Sequence, residues 1–233
     1  MLELKNLQAR YGDSLILDAI NLRVQSGQGV ALLGRNGAGK TTLLKSIVGG
    51  GPSVSGEVNF LGQALKGQAT YLRARAGLTL VPEDRRIFTH LTVNENLLLA
   101  RHACAKDQLL EVEQVYEWFP ALAELKNRMG NQLSGGQQQI LAVARGLMPR
   151  PKLMLLDEPT EGVAPLLVKQ MAEQINRARR EQGSALLLAE QNLWFSRNCT
   201  DYVYMIDTGR IVFEGDWSEV DRHPEVINRY LAL

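Results

Sequence analysis

Residues 30–45 read VALLGRNGAGKTTLLK, and this stretch decides the fold. A short apolar run leads into Gly34-x-x-x-x-Gly39-Lys40-Thr41, and apolar residues at helical spacing follow. A strand, a glycine-rich loop and a helix in this order are the context of a phosphate-binding P-loop, because glycines let the backbone wrap closely around phosphates. The helix N-terminus adds unpaired amides and a favourable dipole. The sequence therefore predicts a nucleotide site formed by Gly34, Asn36, Gly37, Ala38, Gly39, Lys40, Thr41 and Thr42.

Side chains with defined chemistry stand at two places near this site. In the P-loop, Lys40 should neutralise the β and γ phosphates, and the Thr41 hydroxyl should ligate Mg²⁺. In KLMLLDEPT, residues 152–160, a buried strand should deliver Asp157 and Glu158 at its carboxyl end, where ligands bind in α/β sheets. Asp157 is expected to hold Mg²⁺ through its hydration shell, and Glu158 to polarise a water molecule that attacks the γ-phosphate.

A second glycine-rich helix start lies at residues 133–139, LSGGQQQ. The free amides and the serine hydroxyl of such a start form another anion-binding end, while the plainer interpretation is a serine N-cap. A chain whose P-loop already binds nucleotide does not need two phosphate sites for the same molecule. We therefore expect this helix start to close on a nucleotide held by another copy, through Ser134, Gly135, Gly136 and Gln137.

The composition excludes several other classes of protein. The 233 residues contain no apolar run near the roughly 18 to 20 residues that cross a bilayer, and the first residues lack the apolar stretch of a signal peptide. Cys104 and Cys199 show no metal-ligand spacing, which indicates reduced thiols. A formal net charge of +1 offers no broad surface for nucleic acid, so we expect no nucleic-acid partner.

Short runs rich in leucine and β-branched residues alternate with segments of helical period, which indicates an α/β protein. Strand signals disappear between Pro82 and Pro151, so we expect a helical insert within a strand-bearing core. A short helix is expected within residues 216–233. Strands are predicted near residues 2–7, 30–33, 78–81, 153–156, 185–189, 202–206 and 210–213, and helices after Gly39 and over residues 108–118, 136–148 and 164–180.

Together, GRNGAGKTT, LMLLDEPT and LSGGQQQ resemble the Walker A, Walker B and signature motifs of the ATP-binding subunit of an ABC transporter, over essentially the whole chain. The resemblance implies ATP and Mg²⁺ as ligands and an α/β P-loop NTPase core with a mostly parallel sheet, an N-terminal antiparallel β part and an inserted helical subdomain. It implies a single domain, 1–233, with a core of residues 1–83 and 151–233 and a helical subdomain of residues 84–150. Tyr11 lies where the family stacks an aromatic ring on adenine. Residues 161–165, EGVAP, lie at the family's D-loop, which crosses the dimer interface.

Two positions depart from the family's pattern. Glu83 stands where most members have a glutamine that senses the metal, and its carboxylate still offers an oxygen to Mg²⁺. Gln191 stands where most members have a histidine, so we expect an amide that positions the γ-phosphate and leaves Glu158 as the only general base.

These departures, with VPEDRRIF, LTVNENL and AEQN, resemble one importer branch, which serves branched-chain amino acids, urea and short amides. The resemblance implies two multi-span membrane permease subunits, a second ATPase subunit that is identical or different, and indirectly an extracytoplasmic solute-binding protein. It places the chain peripherally on the cytoplasmic face of the inner or plasma membrane. Branched-chain or hydrophobic amino acids are the expected solutes, and urea or a short-chain amide is the alternative, which PTEGVAP favours. Residues 84–98 are the expected docking segment for a membrane subunit.

Two other classes of protein fit the sequence less well. A soluble ABC-type ATPase acting on DNA or ribosomes generally carries a long coiled coil or two cassettes in one chain, and neither is found in this sequence. A P-loop kinase or GTPase would leave LSGGQQQ without a role.

Overall fold

Two β-sheets form the framework of the protein in the computed structural model, which describes residues 1–101 and 110–231. The smaller sheet is antiparallel, and the larger has six strands. The strands of the described residues are β1 (Leu2–Tyr11), β2 (Ser14–Val24), β3 (Gly29–Leu33), β4 (Ser53–Phe60), β5 (Gln63–Ala64), β6 (Leu78–Val81), β7 (Leu153–Asp157), β8 (Ala185–Glu190), β9 (Tyr202–Asp207) and β10 (Arg210–Asp216).

The larger sheet brings the predicted site residues to one edge. Its order is β10-β9-β3-β8-β7-β6, and every pairing is parallel except that of β10 with β9. Strands β3, β7 and β8 are buried along their whole length, which explains their continuous apolar runs. The register pairs Leu33 with Glu190 and Asp157 with Ala189. The P-loop therefore begins beside the carboxyl ends of β7 and β8.

Helices cover the larger sheet and fill the segment between β6 and β7. In that segment, the described residues form helices and turns, with only an isolated bridge between Thr92 and Met129. No helix of residues 1–101 and 110–231 is long and apolar enough to cross a membrane. The helices are α1 (Lys40–Val48), α2 (Thr70–Arg75), α3 (Val93–Ala100), α4 (Val112–Trp118), α5 (Pro120–Glu124), α6 (Gly135–Leu147), α7 (Pro165–Gln182), α8 (Leu193–Cys199), α9 (Trp217–Arg222) and α10 (Pro224–Tyr230).

The apolar core continues from the sheet into the helical segment. One cluster of buried side chains joins residues of α3, α4, α5 and α6 to residues of α7, β7 and β8. A second cluster lies between the two sheets and around α1, and a third lies under α9 and α10. The helical segment therefore packs on the rest of the protein through shared core and not through a polar surface.

The predicted α/β fold, with an antiparallel part and a parallel sheet, is confirmed. Differences concern the ends and number of elements. The helix predicted over residues 136–148 begins one residue earlier, and the one predicted over 164–180 runs two residues further. Residues 108 and 109 of the predicted helix 108–118 lie outside the described residues, as do Cys104 and residues 232 and 233. The prediction of a single helix within residues 216–233 was wrong, because Pro224 cannot continue α9 and instead begins α10.

Candidate nucleotide site

A cavity of about 280 Å³ lies at the carboxyl edge of the larger sheet. It combines residues of the P-loop with three carboxylates from two other segments, the turn after β6 and the loop after β7. It is lined by Ile16, Asn36, Gly37, Gly39, Lys40, Thr41, Thr42, Glu83, Glu158 and Glu161.

The P-loop backbone is shaped by two glycines in the left-handed region. Gly37 has φ 80° and Gly39 has φ 113°, conformations that side chains rarely adopt. Gly39 immediately precedes α1 and supplies no side-chain cap, so the first amides of that helix point outward. The amide of Ala38 is used within the loop, since it donates to the carbonyl of Arg35 at 3.1 Å. The loop therefore offers a helix N-terminus to an anion, as the sequence predicts.

Lys40 lies at the floor of this loop and is 3% exposed. Its ammonium donates to the carbonyl oxygens of Gly34 at 2.6 Å and Arg35 at 3.1 Å. It also pairs with Glu158, with Nζ and Oε1 2.8 Å apart. The cation is thus held between the P-loop and the carboxylate that sequence analysis assigns as general base.

Asp157 and Thr41 meet beside the cation. The Thr41 hydroxyl donates to Asp157 Oδ1 at 3.1 Å. Burial raises the pKa of the Asp157 carboxyl to about 6, and the charge of Glu158 adds to this, while the hydrogen bond from Thr41 and the charges of Lys40 and Lys45 oppose it. A buried carboxylate and a hydroxyl in contact are the hard oxygen donors that Mg²⁺ prefers, so these residues fit that ion.

Glu158 and Gln191 face each other across the end of the sheet. Glu158 has φ 43°, in the left-handed region that is unusual for a residue with a side chain, and its amide donates to the Ala189 carbonyl at 2.9 Å. The Gln191 amide Nε2 is 3.5 Å from Glu158 Oε2, and it also donates to the side-chain oxygen of Asn36. Gln191 therefore lies between the P-loop and Glu158, close to where a γ-phosphate would lie.

Glu83 lines the same cavity but faces another carboxylate. The charge of Glu83 raises the pKa of Glu161, and partial burial, the charge of Glu158 and hydrogen bonds with both carboxylates contribute further. Both side chains are exposed in the chain by itself. The metal-binding role of Glu83 stays a prediction.

Tyr11 lies apart from the phosphate cavity. It ends β1, is 43% exposed, and lines a larger cavity of about 780 Å³ together with Lys45, Val48 and Gly51 near the end of α1. Stacking of Tyr11 on adenine stays a prediction.

The LSGG segment lies outside the lining of the phosphate cavity of its own chain. Ser134 caps α6, because its hydroxyl accepts the Gln137 amide at 3.3 Å while the Gln137 side chain accepts the Ser134 amide at 2.8 Å. Both glycines have close neighbours. A Cβ at Gly135 would lie 3.2 Å from the Arg85 guanidinium, and a Cβ at Gly136 would lie 2.7 Å from Leu167 of α7. The glycines therefore lie in close contact with their neighbours, and the Gln137 side chain is used in the capping of α6.

Two residues near the site were not singled out from the sequence, and a third, Glu161, was expected only as part of the D-loop, residues 161–165. Ile16 reaches the cavity from β2, a strand that the apolar pattern did not reveal. Glu190 is a polar residue at the end of a strand. The only signal for Glu190 was its position at the end of a fully apolar run, ALLLAE, where a buried carboxylate needs donors.

Comparisons with known proteins agree with this geometry. A family model described as ABC transporter matches residues 17–161. The high-affinity branched-chain amino acid transport ATP-binding protein BraG of Pseudomonas aeruginosa is 38% identical over 100% of both chains. BraF of the same organism, which carries the same description, is 29% identical over 100% of this chain and 98% of its own.

Solved structures of cassettes share the fold. The ATP-binding subunit of an ABC transporter superposes with a TM-score of 0.81 at 26% identity, covering 99% of this chain and 96% of the other. A nucleotide-free ATP-binding cassette gives a TM-score of 0.83 at 24% identity, over 100% and 97%. From the P-loop, the paired acidic residues, the capped glycine helix and these likenesses, we conclude that the chain belongs to the ABC transporter family and is one of its ATP-hydrolysing, nucleotide-binding proteins.

Proposed function

We propose that the chain is the ATPase subunit of an importer for branched-chain amino acids. The observation that carries this proposal is the 38% identity to BraG over the whole length of both proteins. Gln191 at the position of the family's histidine and Glu83 at the position of its glutamine support the same branch. The segment PTEGVAP favours urea or a short amide as the alternative solute, so the solute is tested separately below.

ATP hydrolysis at this site needs three residues to act together. Glu158 accepts the proton of the attacking water, and Gln191 donates its amide hydrogen bond to the γ-phosphate. When Lys40 binds the β and γ phosphates, its ion pair with Glu158 is exchanged for contacts with phosphate, which frees the carboxylate to act as base. Mg²⁺ held by Thr41 and Asp157, with Glu83 as a further oxygen donor, would neutralise charge on the phosphates.

A second cassette completes the site. Ser134, Gly135 and Gly136 lie outside the phosphate cavity of their own chain, which supports a role for this helix start toward ATP held by a partner. The Ser134 amide is already bonded to the Gln137 side chain, so the two glycines and the Ser134 hydroxyl would make that contact. Differential affinity of ATP and ADP for the closed pair then supplies the work of transport. The partner is proposed to be a different ATPase subunit, because one organism has two proteins of this description and this chain is 38% identical to one and 29% to the other.

The membrane subunits are proposed to dock in the cavity of about 780 Å³ between α1, α2, β6 and the helical segment. Its wall combines apolar residues of β6 with Arg85, Arg86, Phe88 and Arg145. The Arg145 guanidinium donates to the Arg86 carbonyl at 2.6 Å and packs over the Phe88 ring, so α6 holds this wall in place. Arg85, Arg86 and Phe88 of this wall belong to the expected segment 84–98, which supports that segment as one part of the docking surface.

The same proposal includes the division of the chain and its place in the cell. Residues 1–83 and 151–233 would form the ATP-binding core and residues 84–150 the helical subdomain. The chain would lie on the cytoplasmic face of the membrane, where ATP is present, and an extracytoplasmic binding protein would deliver the solute to the permease subunits.

Copurification of a hydrolysis-deficient variant tests the assembly. Tagged Glu158→Gln protein is expressed in its native cell, ATP and Mg²⁺ are added, the membranes are gently solubilised, and copurifying chains are identified by mass spectrometry. We expect two multi-span membrane subunits and a second ATPase. A matched Ser134→Arg, Glu158→Gln double variant keeps the P-loop and should recover less of the second ATPase.

Transport by the recovered complex then tests the solute. The complex with natural Glu158 is reconstituted in vesicles with its binding protein, and ATP hydrolysis is measured with leucine, urea and short amides. Stimulation by leucine supports the proposal, and stimulation by urea or an amide alone selects the alternative. Recovery of soluble proteins or nucleic acid alone would contradict the transport function.

A further inference from the structure

Glu190 is a buried carboxylate at the end of β8, 3% exposed, and the catalytic roles proposed above do not use it. A carboxylate removed from water is costly unless several donors replace the water. Because Glu190 stands next to Gln191, the groups that donate hydrogen bonds to its carboxylate show which segments it connects.

The two oxygens of Glu190 are divided between two loops. Oε1 accepts the amide of Thr160 at 3.0 Å and its hydroxyl at 2.6 Å. Oε2 accepts the amides of Gln191 and Asn192, both at 2.9 Å. Burial raises the pKa of Glu190, and the hydrogen bonds from Thr160, Asn192 and Gln191 counteract this by favouring the charged form.

Each loop leads to a different part of the site. Thr160 lies two residues after Glu158 and directly before residues 161–165, the D-loop, whose Glu161 lines the phosphate cavity. The side-chain amide of Gln191 donates hydrogen bonds to Asn36 and Glu158. Glu190 therefore joins Thr160 to the backbone amide of Gln191, in addition to the contact of the Gln191 side chain with Glu158.

We propose that Glu190 is a positioning residue. It holds Thr160 and the backbone amide of Gln191, and so couples the D-loop, residues 161–165, to the position of the Gln191 side-chain amide. Contact of a partner subunit with the D-loop then sets the distance from Gln191 to Glu158 and the γ-phosphate. This inference rests on the proposed function, which assigns Gln191 to hydrolysis, and on the resemblance, which implies that the D-loop crosses the dimer interface.

The chemistry of the four hydrogen bonds requires a carboxylate of this length. A glutamine would offer one accepting oxygen and would turn its NH₂ group toward two donors, which leaves buried groups unpaired. An aspartate keeps the charge but is one methylene shorter, so it can hold one loop and not both. Thr160→Val removes only the hydroxyl on the D-loop side, and Thr160→Ser keeps that hydroxyl.

The first measurement separates positioning from nucleotide binding. In the purified complex with natural Glu158, Glu190→Gln should lower kcat for ATP hydrolysis about tenfold or more, in keeping with loss of an aligned catalytic donor. The KM for ATP should stay within about twofold, because Lys40 and the P-loop amides are untouched. The kcat of Glu190→Asp should lie between those of Glu190→Gln and the natural protein.

Ser184→Ala is the matched control, since Ser184 is a buried hydrogen-bonding residue just before the other end of β8. Its kcat should not change.

A double-mutant cycle provides the decisive readout. The effects of Thr160→Val and Gln191→Ala on kcat should be non-additive when Glu190 is present and additive in the Glu190→Gln background. If Glu190→Gln does not fold, the comparison of Thr160→Val with Thr160→Ser, each with and without Gln191→Ala, carries the same test. Additive effects in the presence of Glu190 would overturn the inference alone. An unchanged kcat in Gln191→Ala would overturn the proposed catalytic role of Gln191, and the inference with it.

Discussion

Single residues at this site are held in conformations that folding alone would not select. Glu158 has a left-handed backbone although it carries a side chain, a conformation that costs about 1 kcal/mol or more. Its amide is fixed by the Ala189 carbonyl and its carboxylate by Lys40. The carboxyl of Asp157 is buried with a raised pKa. These costs are typical of residues placed for chemistry and not for stability.

Replacing Glu158 with Gln should separate ATP binding from hydrolysis. The amide keeps the size of the side chain but cannot accept the proton of water, so we expect turnover to fall by about 100-fold or more, with ATP affinity retained. The measurement is kcat together with the dissociation constant for ATP. Ser184→Ala, at a buried hydrogen-bonding residue outside the lining of the cavity, is the control and should change kcat by less than about threefold. Equal losses in both variants would contradict the role of Glu158 as base.

Replacing Asp157 with Asn should stabilise the protein when Mg²⁺ is absent. The folded-state pKa of Asp157 is raised to about 6 from 3.8, so its contribution to stability declines as pH rises through that interval, and at pH 7 the ionised group is unfavourable. Asn removes the charge and keeps an oxygen for the Thr41 hydroxyl. We expect the free energy of unfolding in EDTA to rise by about 1 to 3 kcal/mol.

Denaturant unfolding at pH 7 measures this change, and Mg²⁺ with ATP provides the second arm. The added stability that Mg²⁺ and ATP give the natural protein should be largely lost in Asp157→Asn. A variant less stable than the natural protein in EDTA would show that burial of the Asp157 charge is not the dominant effect.

At the scale of elements, the start of α6 has a structural role that the structure shows and a functional role that is proposed. Ser134 and Gln137 form a capping box, which confirms the N-cap interpretation, while the anion site stays a prediction. The close approach of Leu167 to Gly136 explains the second glycine as a packing requirement. The first glycine leaves its backbone open beside Arg85.

Replacing Ser134 with Arg should block closure of the pair without preventing nucleotide binding. The arginine side chain cannot serve as the N-cap of α6, which costs about 1 kcal/mol of stability. Its long cationic side chain also fills the space in front of the start of the helix. We expect ATP affinity within about twofold of the natural value, measured with a fluorescent ATP analogue. We also expect loss of the ATP-dependent pair with the second ATPase subunit, measured by light scattering of the mixture. Ser134→Ala separates the two effects, because it loses the cap alone. A pair that forms equally well with Ser134→Arg would contradict the sandwich.

The sequence predicted some of these elements better than others, for physical reasons. Strands β3, β7 and β8 were found because burial on both faces makes them continuous apolar runs. Strands β2 and β4 were not found, because register shifts against β1 and left-handed residues, Ala19 in β2 and Gly56 in β4, interrupt the alternation. The site residues were recognised by motif, whereas Glu190 required knowledge of which donors surround it. Tyr11 could be assigned by resemblance only.

At the scale of the whole molecule, the helical segment and the sheet share one apolar core. The same cluster contains Leu97 of α3, Leu141 of α6, Met171 of α7 and Leu188 of β8. Division of the chain into a core and a helical subdomain is therefore a matter of function, and the two parts depend on each other for burial of apolar surface.

We expect this shared core to make unfolding a single cooperative transition. Scanning calorimetry of the protein without nucleotide should show one peak with equal calorimetric and van't Hoff enthalpies. Leu141→Ala, at the centre of the shared cluster, should lower the Tm of that one peak, at a cost of about 2 to 5 kcal/mol. A separate early transition for the helical segment would contradict this expectation.

At Gly136 the backbone of α6 lies directly against the Leu167 side chain of α7, so an added Cβ would come within 2.7 Å of it. Helices in such close contact resist sliding past each other, because interiors are packed as densely as crystals. We therefore expect the start of α6 and the D-loop before α7 to move together. A partner that contacts one of these segments would then act on both, so the two segments form one rigid interaction surface and not two independent loops.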